Sequence, residues 1–283
     1  MNKINARQNE KEMLKYQFAA RVYYNRAELL SYLIWFLCLI SAACVFISIN
    51  TSWFQWIPLI ADLMAVLLGL TLSHTLSNAA SFRSYFDAYV LNIGIESFED
   101  NDLRKLKERS SKLIHTKRKY YHVQITNTGN DTPPGVRDWY DIPTSYSERD
   151  AQYECQKQNC WWNKKMADKR CLINIMFVIF AVVVAVFAIR NVSMGNGIMI
   201  GILGSGGIIT RCIERVLANK EYRDLSLKID GASETLSDSR DMKNLCKLQD
   251  FINKRRKLPV LEINFIHKRI AFELSKMYHD FLP

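Results

Sequence analysis

The sequence predicts an all-α integral membrane protein with four transmembrane helices, arranged as two hairpins, and a cytoplasmic helical region. The main observation is a set of four apolar spans: Leu29–Ile49, Trp53–Leu76, Cys171–Ile189 and Val192–Cys212. Each is close to the roughly 20 residues that a helix needs to cross about 30 Å of hydrocarbon. Because only Asn50–Ser52 separates the first two spans and Arg190-Asn191 the last two, each pair is expected to form a tight hairpin. Both termini and the central segment then lie on one side of the membrane.

The distribution of charge indicates which side that is. The chain has 38 Lys and Arg residues and a net charge of +10, and Arg190 is the only basic residue predicted on the opposite side. Basic residues accumulate on the cytoplasmic side of short membrane flanks. The termini are therefore predicted to be cytoplasmic, the bilayer is the first partner, and no DNA or RNA polymer is expected, because topology accounts for most of the charge.

These boundaries divide the chain into segments 1–28, 29–76, 77–170, 171–212 and 213–283, of which the second and fourth are the hairpins. The helical spacing of Phe82, Phe86, Tyr89 and Ile93 predicts that the second span continues as a long cytoplasmic helix. A further helix is predicted at Leu103–Lys119, and the pattern of the next six residues, 120–125, favours a short strand.

Prolines and glycines define the structure around the third and fourth spans. Pro133, Pro134 and Pro143 bracket 136–140 and predict a constrained, non-helical loop. Ser147 with Asp150 resembles a capping box that opens a helix leading into the third span. Beyond the fourth span, helix is predicted to 229 and from 236 to 257, with an interruption between. An apolar stripe over 263–281 docks either on this chain or on another subunit.

Asp62 is the only acidic residue well inside a predicted span, where a charge costs about 2.5–3.5 kcal/mol. It belongs to a small, partly polar stripe on the second span. The candidate pore-lining residues on this stripe are Gln55, Asp62, Gly69 and Ser73. The alternative is that the small residues allow close helix packing while Asp62 makes an interhelical hydrogen bond.

Glycines dominate the fourth span. Gly197, Gly201 and Gly204 are interpreted as helix-packing positions, because no strand precedes them as a dinucleotide-binding loop requires. The third span is aliphatic around most of its circumference, which is typical of a lipid-facing helix.

The sequence offers no catalytic or metal-binding motif. The seven cysteines show no Cys-x-x-Cys pattern, the five histidines are dispersed, and no phosphate-binding loop is present. The chain is therefore predicted not to be an enzyme and to need no metal or cofactor.

Three short motifs point to a known family: Arg7-Gln8-Asn9, the pentapeptide 136–140 (VRDWY) and the octapeptide 155–162 (CQKQNCWW). With its four spans, the chain resembles the four-transmembrane effectors associated with bacterial SMODS nucleotidyltransferases, which are proposed to form pores. The resemblance implies an antiviral role in cyclic-oligonucleotide signalling. An activated synthase would release a second messenger, and the effector would then breach the inner membrane. A homo-oligomer is expected on other grounds, because a lone chain of four helices has little room for an aqueous channel.

A cyclic oligonucleotide is an anion with flat bases, so basic side chains beside aromatic rings suit it. The candidate ligand-binding residues are Arg137, Trp139, Tyr140, Trp161, Trp162, Lys164 and Lys165. The alternative is structural: the tryptophan pair anchors or packs the cytoplasmic region, and Arg137 pairs with Asp138. Two functions stay open at this point, a gated membrane pore and a membrane-anchored sensor or scaffold without a pore.

Overall fold

The computed structural model is helical throughout its described part, apart from the loops. The described residues are 2–47, 56–158, 160, 172, 175–176, 178–179, 182–183, 186, 194–238 and 241–260. The helices are α1 (Ile4–Gln8), α2 (Lys11–Ile47), α3 (Trp56–Leu91), α4 (Asp100–Thr116), α5 (Arg118–Thr126), α6 (148–158), α7 (Met194–Asp238) and α8 (Met242–Arg256). No strand occurs among these residues, and Thr128 and Arg137 form an isolated parallel bridge.

Two helices of the described part are long and apolar enough to cross a membrane, α2 over Lys11–Cys44 and α3 over Trp56–Leu91. Only 17% of the most apolar window of α3 is buried inside the protein, as expected for a helix that faces lipid. The described parts of the first two predicted spans, 29–47 and 56–76, therefore lie within long continuous helices. The third span falls mostly outside the described residues, and the described part of the fourth, 194–212, forms the beginning of α7.

The chain divides into two compact units. The first unit comprises Met1–Arg26, Thr75–Asn163 and Leu225–Leu258, and its core combines residues from α2, α3 and α8. Aromatic packing dominates this core, with the ring centroids of Tyr16 and Phe82 5.8 Å apart. The second unit comprises Ala27–His74, Lys164–Asp224 and Pro259–Pro283, and it contains the apolar halves of α2 and α3.

Several local predictions are confirmed. Helix α3 runs without interruption through Phe82 and Phe86, which are fully buried. The pentapeptide 136–140 lies in a non-helical loop, and Asp138 has a positive φ of 49°. The capping box is present, because the Ser147 hydroxyl donates to Asp150 at 2.6 Å and accepts from its backbone N–H at 3.2 Å.

Two local predictions are wrong. Residues 120–125 belong to helix α5 rather than a strand, because Tyr121 and Gln124, three positions apart, are the buried residues of that segment. Helix α7 also continues to Asp238 without the expected interruption at Gly231, a position where a Cβ would meet no atom within 4 Å. The stripe predicted over 263–281 lies outside the described residues.

Candidate functional site

The structure brings two of the sequence motifs together in the first unit. The side-chain amide of Gln8 makes two hydrogen bonds with the backbone of Tyr140. Its Nε2 donates to the Tyr140 carbonyl at 3.0 Å, and its Oε1 accepts from the Tyr140 N–H at 2.8 Å. The next residue, Asn9, makes two hydrogen bonds with Asp138: it donates to the carboxylate at 2.6 Å and accepts from the backbone N–H at 3.2 Å. Gln8 and Asn9 of the Arg-Gln-Asn motif thus clamp the VRDWY loop, whereas Arg7 pairs with Glu148 beyond it.

The base of this loop is held by a second set of contacts. Arg21 of α2 donates to the carbonyls of Pro134 and Gly135 at 2.8 and 2.9 Å. Gly135 is required here, because a Cβ at this position would lie 1.7 Å from the carbonyl oxygen of Asn127. These contacts define the path along which the loop carries Trp139 and Tyr140 to α3.

Asp87 of α3 is the centre of a buried polar cluster beneath the loop. It is fully buried, and its Oδ1 accepts a hydrogen bond from the Tyr140 hydroxyl at 2.8 Å. Its Oδ2 forms an ion pair with Arg256 of α8 at 2.6 Å and accepts from Gln249 at 3.4 Å. A single carboxylate therefore joins α3, the loop and α8.

Arg83 lies one turn before Asp87 on α3 and contacts the other aromatic residue of the loop. Its Cζ lies 3.8 Å from the ring centroid of Trp139, at the distance of a close cation–π contact. It also donates from Nη1 to the side-chain oxygen of Gln17 on α2. Loss of hydration and, to a smaller extent, repulsion from Arg256 lower the pKa of Arg83 to about 10.

The pKa of Arg256 shifts in the opposite direction, because its guanidinium pairs with the Asp87 carboxylate. Burial disfavours its charge, but Asp87, together with Tyr140 and Tyr24, outweighs that cost, and the pKa of Arg256 is raised. The two guanidinium groups thus share one environment, in which one has a carboxylate partner and the other has an amide and an aromatic ring. We call Arg83, Asp87, Trp139, Tyr140 and Arg256 the Arg83 cluster.

The predicted ligand-binding residues have different places in the structure. Trp139 is 37% exposed and Tyr140 is 2% exposed, and both belong to the Arg83 cluster. Arg137 is exposed, and its Nε lies 3.8 Å from the Asp138 carboxylate. The remaining four, Trp161, Trp162, Lys164 and Lys165, lie outside the described residues. All seven assignments stay predictions, although the ion pair offered as the alternative role of Arg137 is present.

Sequence reasoning missed Arg83, Asp87 and Arg256. The spacing of Arg83 and Asp87 is a signal that could have identified the first two. They are four residues apart and interleave with Phe82 and Phe86, so a charged pair adjoins the apolar face of the predicted helix. Arg256 gave no such signal, because it lies in a run of basic residues that is typical of a solvated helix end.

In the second unit, Asp62 packs against α7 of the same chain. A Cβ at Gly207 would lie 2.7 Å from Asp62 Oδ1, so only glycine leaves room for the carboxylate in this position. Oδ1 is buried and has no hydrogen-bond partner. Arg211, one turn after Gly207, forms an ion pair with Glu214 at 3.2 Å. The close approach to Gly207 resembles the helix packing offered as the alternative to a pore, but among the described residues Oδ1 makes no interhelical hydrogen bond, so both interpretations of Asp62 stay predictions.

The other residues predicted for the spans are less informative. Ser73 is exposed, and a Cβ at Gly69 would meet no atom within 4 Å. Gln55 lies outside the described residues. Gly197, Gly201 and Gly204 lie in α7, in a stretch whose packing is not described. Pore lining and glycine packing at these positions stay predictions.

Comparisons with known proteins give one result. No curated protein and no solved structure matches the chain. A family model described as the SMODS-associating 4TM effector domain matches residues 2–279, nearly the whole chain. The suspected family is confirmed: this chain belongs to the SMODS-associating 4TM effector domain family.

Proposed function

We propose that the chain is the membrane effector of a bacterial cyclic-nucleotide-activated anti-phage system. In this proposal it assembles as a homo-oligomer and permeabilises the inner membrane, which causes growth arrest or cell death. The observation that carries the proposal is membership of an effector family associated with SMODS systems over nearly the whole chain. The two long apolar helices, α2 and α3, support the membrane location.

The geometry supports a route by which a signal could reach the membrane. Helix α3 is continuous from Trp56 to Leu91, so the same helix carries Asp62 and the two charged residues of the Arg83 cluster, Arg83 and Asp87. A ligand that changes the contacts of Trp139 with Arg83 would act directly on this helix. The proposal therefore places sensing in the loop and the response in the spans.

The proposed topology has four spans, with both termini and the Arg83 cluster in the cytoplasm. The positive-inside distribution of Lys and Arg supports this orientation. The expected partners are the lipid bilayer, further copies of this chain and a cyclic oligonucleotide.

A second function is favoured by one observation. Because Asp62 packs against Gly207 of its own chain, the carboxylate needs no pore to explain its position. The chain would then be a membrane-anchored sensor or scaffold, and its spans would only hold the first unit at the bilayer.

Induced expression in bacteria separates the two functions. Cells are given a synthase for each of several cyclic oligonucleotides, and propidium entry and growth are followed. The effector function predicts propidium entry with one messenger and none without a synthase. If ligand binds the purified protein but propidium stays outside at full expression, the sensor or scaffold function is correct.

A further inference from the structure

The Arg83 cluster contains more positive than negative charge in a poorly hydrated place. Arg83 lies one turn from Asp87 on α3, and Asp87 pairs with Arg256 at 2.6 Å, so two guanidinium groups adjoin one carboxylate. Within the described part of the chain, Arg83 forms no ion pair with a carboxylate; its contacts are Gln17 and Trp139. Arg83 is partly buried, and a partly buried charge without a counter-ion is costly, so the cluster is better suited to a protein that binds an anion than to one that does not.

Two donors beside Arg83 point to the same chemistry. Gln17 is 1% exposed, its oxygen accepts from Arg83, and its Nε2 has no hydrogen-bond partner in the described part of the chain. Among the described residues, Nη1 of Arg256 is also buried without a partner, although Nη2 of the same guanidinium contacts Asp87. Unpaired buried donors cost about 1–3 kcal/mol each. An oxyanion supplies several acceptors at once and would satisfy both donors.

Trp139 gives this cluster a partly open aromatic side. One face of its ring covers the Arg83 guanidinium, and 37% of the side chain is exposed. The loop that carries Trp139 is anchored next to it, through Tyr140, by Gln8 and Asp87. The ring is thus held in position while part of its surface stays available for stacking.

We propose that Arg83, Arg256 and Gln17 form a binding site for the phosphate group of a nucleotide ligand, and that the ligand's base stacks on Trp139. Charge-assisted hydrogen bonds from arginine to phosphate, together with base stacking, are the usual means of binding such ligands. This inference rests on the proposed function for the class of ligand, a cyclic oligonucleotide, and it names the residues that would bind it. Arg83, rather than the exposed Arg137, is the principal cation in this site.

The test uses the full chain in lipid nanodiscs and measures binding apart from any membrane response. The probes are a panel of cyclic di- and trinucleotides and inorganic pyrophosphate, and the readouts are the dissociation constant and the shift in melting temperature. The key variant is Arg83→Gln. Because this substitution removes a desolvated charge that has no carboxylate partner, the ligand-free protein should be at least as stable as the parent.

The affinity for the ligand, by contrast, should fall. Loss of one charge-assisted contact predicts an affinity about 10- to 100-fold weaker for Arg83→Gln. Arg83→Lys keeps the charge but not the planar fork, so its affinity should lie between those of the parent and Arg83→Gln. Trp139→Ala should weaken the binding of cyclic nucleotides more than the binding of pyrophosphate, because only the nucleotides have a base to stack.

The matched control is Arg104→Gln, the same change at an exposed arginine of α4 in the first unit. It should leave the dissociation constant unchanged. The proposal is overturned if no probe binds the parent protein, if Arg104→Gln and Arg83→Gln weaken binding equally, or if Arg83→Gln destabilises the ligand-free protein while affinity is retained.

Membrane permeabilisation is measured separately, so that the two proposals fail independently. Arg83-dependent binding without any propidium entry would support the proposed site and contradict the effector function. Ligand-triggered propidium entry that persists in Arg83→Gln cells would retain the effector function and remove the site.

Discussion

Replacement of Asp87 by alanine should be among the most destabilising single changes in the first unit. The carboxylate is fully buried and has three partners: Arg256 at 2.6 Å, Tyr140 at 2.8 Å and Gln249 at 3.4 Å. Removing one partner of a buried ion pair costs about 3–5 kcal/mol, because the other charge stays buried without compensation. The Tyr140 hydroxyl also loses its acceptor, so the loss should lie at the upper end of that range.

The assay is equilibrium denaturation of the detergent-solubilised protein, followed by tryptophan fluorescence. The double variant Asp87→Ala, Arg256→Met should recover more than half of the loss, because it removes the stranded guanidinium together with its partner. The control is Asp102→Ala, which breaks the exposed pair with Lys105 at 3.4 Å and should cost under about 1 kcal/mol. If Asp87→Ala costs no more than this control, or if the double variant is less stable than the single one, the electrostatic reasoning is refuted.

Three further changes test other parts of the molecule. Gly207→Ala should lower the free energy of unfolding by about 1–3 kcal/mol, because its Cβ would lie 2.7 Å from Asp62 Oδ1. Gly231→Ala in the same helix should raise it by up to about 1 kcal/mol. Equal unfolding free energies for the two variants would contradict this packing. Burial raises the pKa of Tyr16 to about 12, so its contribution to stability is complete below pH 10 and lost as the pH rises through 12; Tyr16→Phe should flatten the unfolding free energy over that range. Asp62→Asn should reduce cation preference in bilayer recordings if a ring of carboxylates lines a pore, and unchanged selectivity would leave Asp62 as a packing residue.

The sequence predicted the helical class and the long α3 because apolar and aromatic residues repeat with helical spacing over many turns. It also predicted the non-helical loop and the capping box, since both depend on a few local residues. Residues 120–125 were misassigned because a run of six residues cannot distinguish a short helix from a strand without its packing partner. For these residues the partner is Phe18, whose ring centroid lies 5.1 Å from that of Tyr121.

The candidate site was predictable only in part, and for a similar reason. The VRDWY loop was distinctive in the sequence, so Trp139 and Tyr140 were identified before the structure. Arg83 and Asp87 had a signal in their spacing, but Arg256 could be assigned to the same cluster only from the folded structure, because 169 positions of sequence separate it from Asp87. The clamp of Gln8 and Asn9 on the loop shows why two separate motifs occur in one chain.

The central claim is that a ligand bound at the Arg83 cluster opens the membrane, and dye release from proteoliposomes tests it most directly. Purified protein is reconstituted into vesicles loaded with a self-quenched dye, and the cyclic nucleotide that binds the parent protein is added outside. With ligand at the dissociation constant of the parent protein, dye should be released from vesicles with the parent protein and from those with Arg104→Gln, but far less from those with Arg83→Gln at equal protein content. Release that is independent of ligand, or equal in Arg83→Gln and the parent protein, would contradict the account.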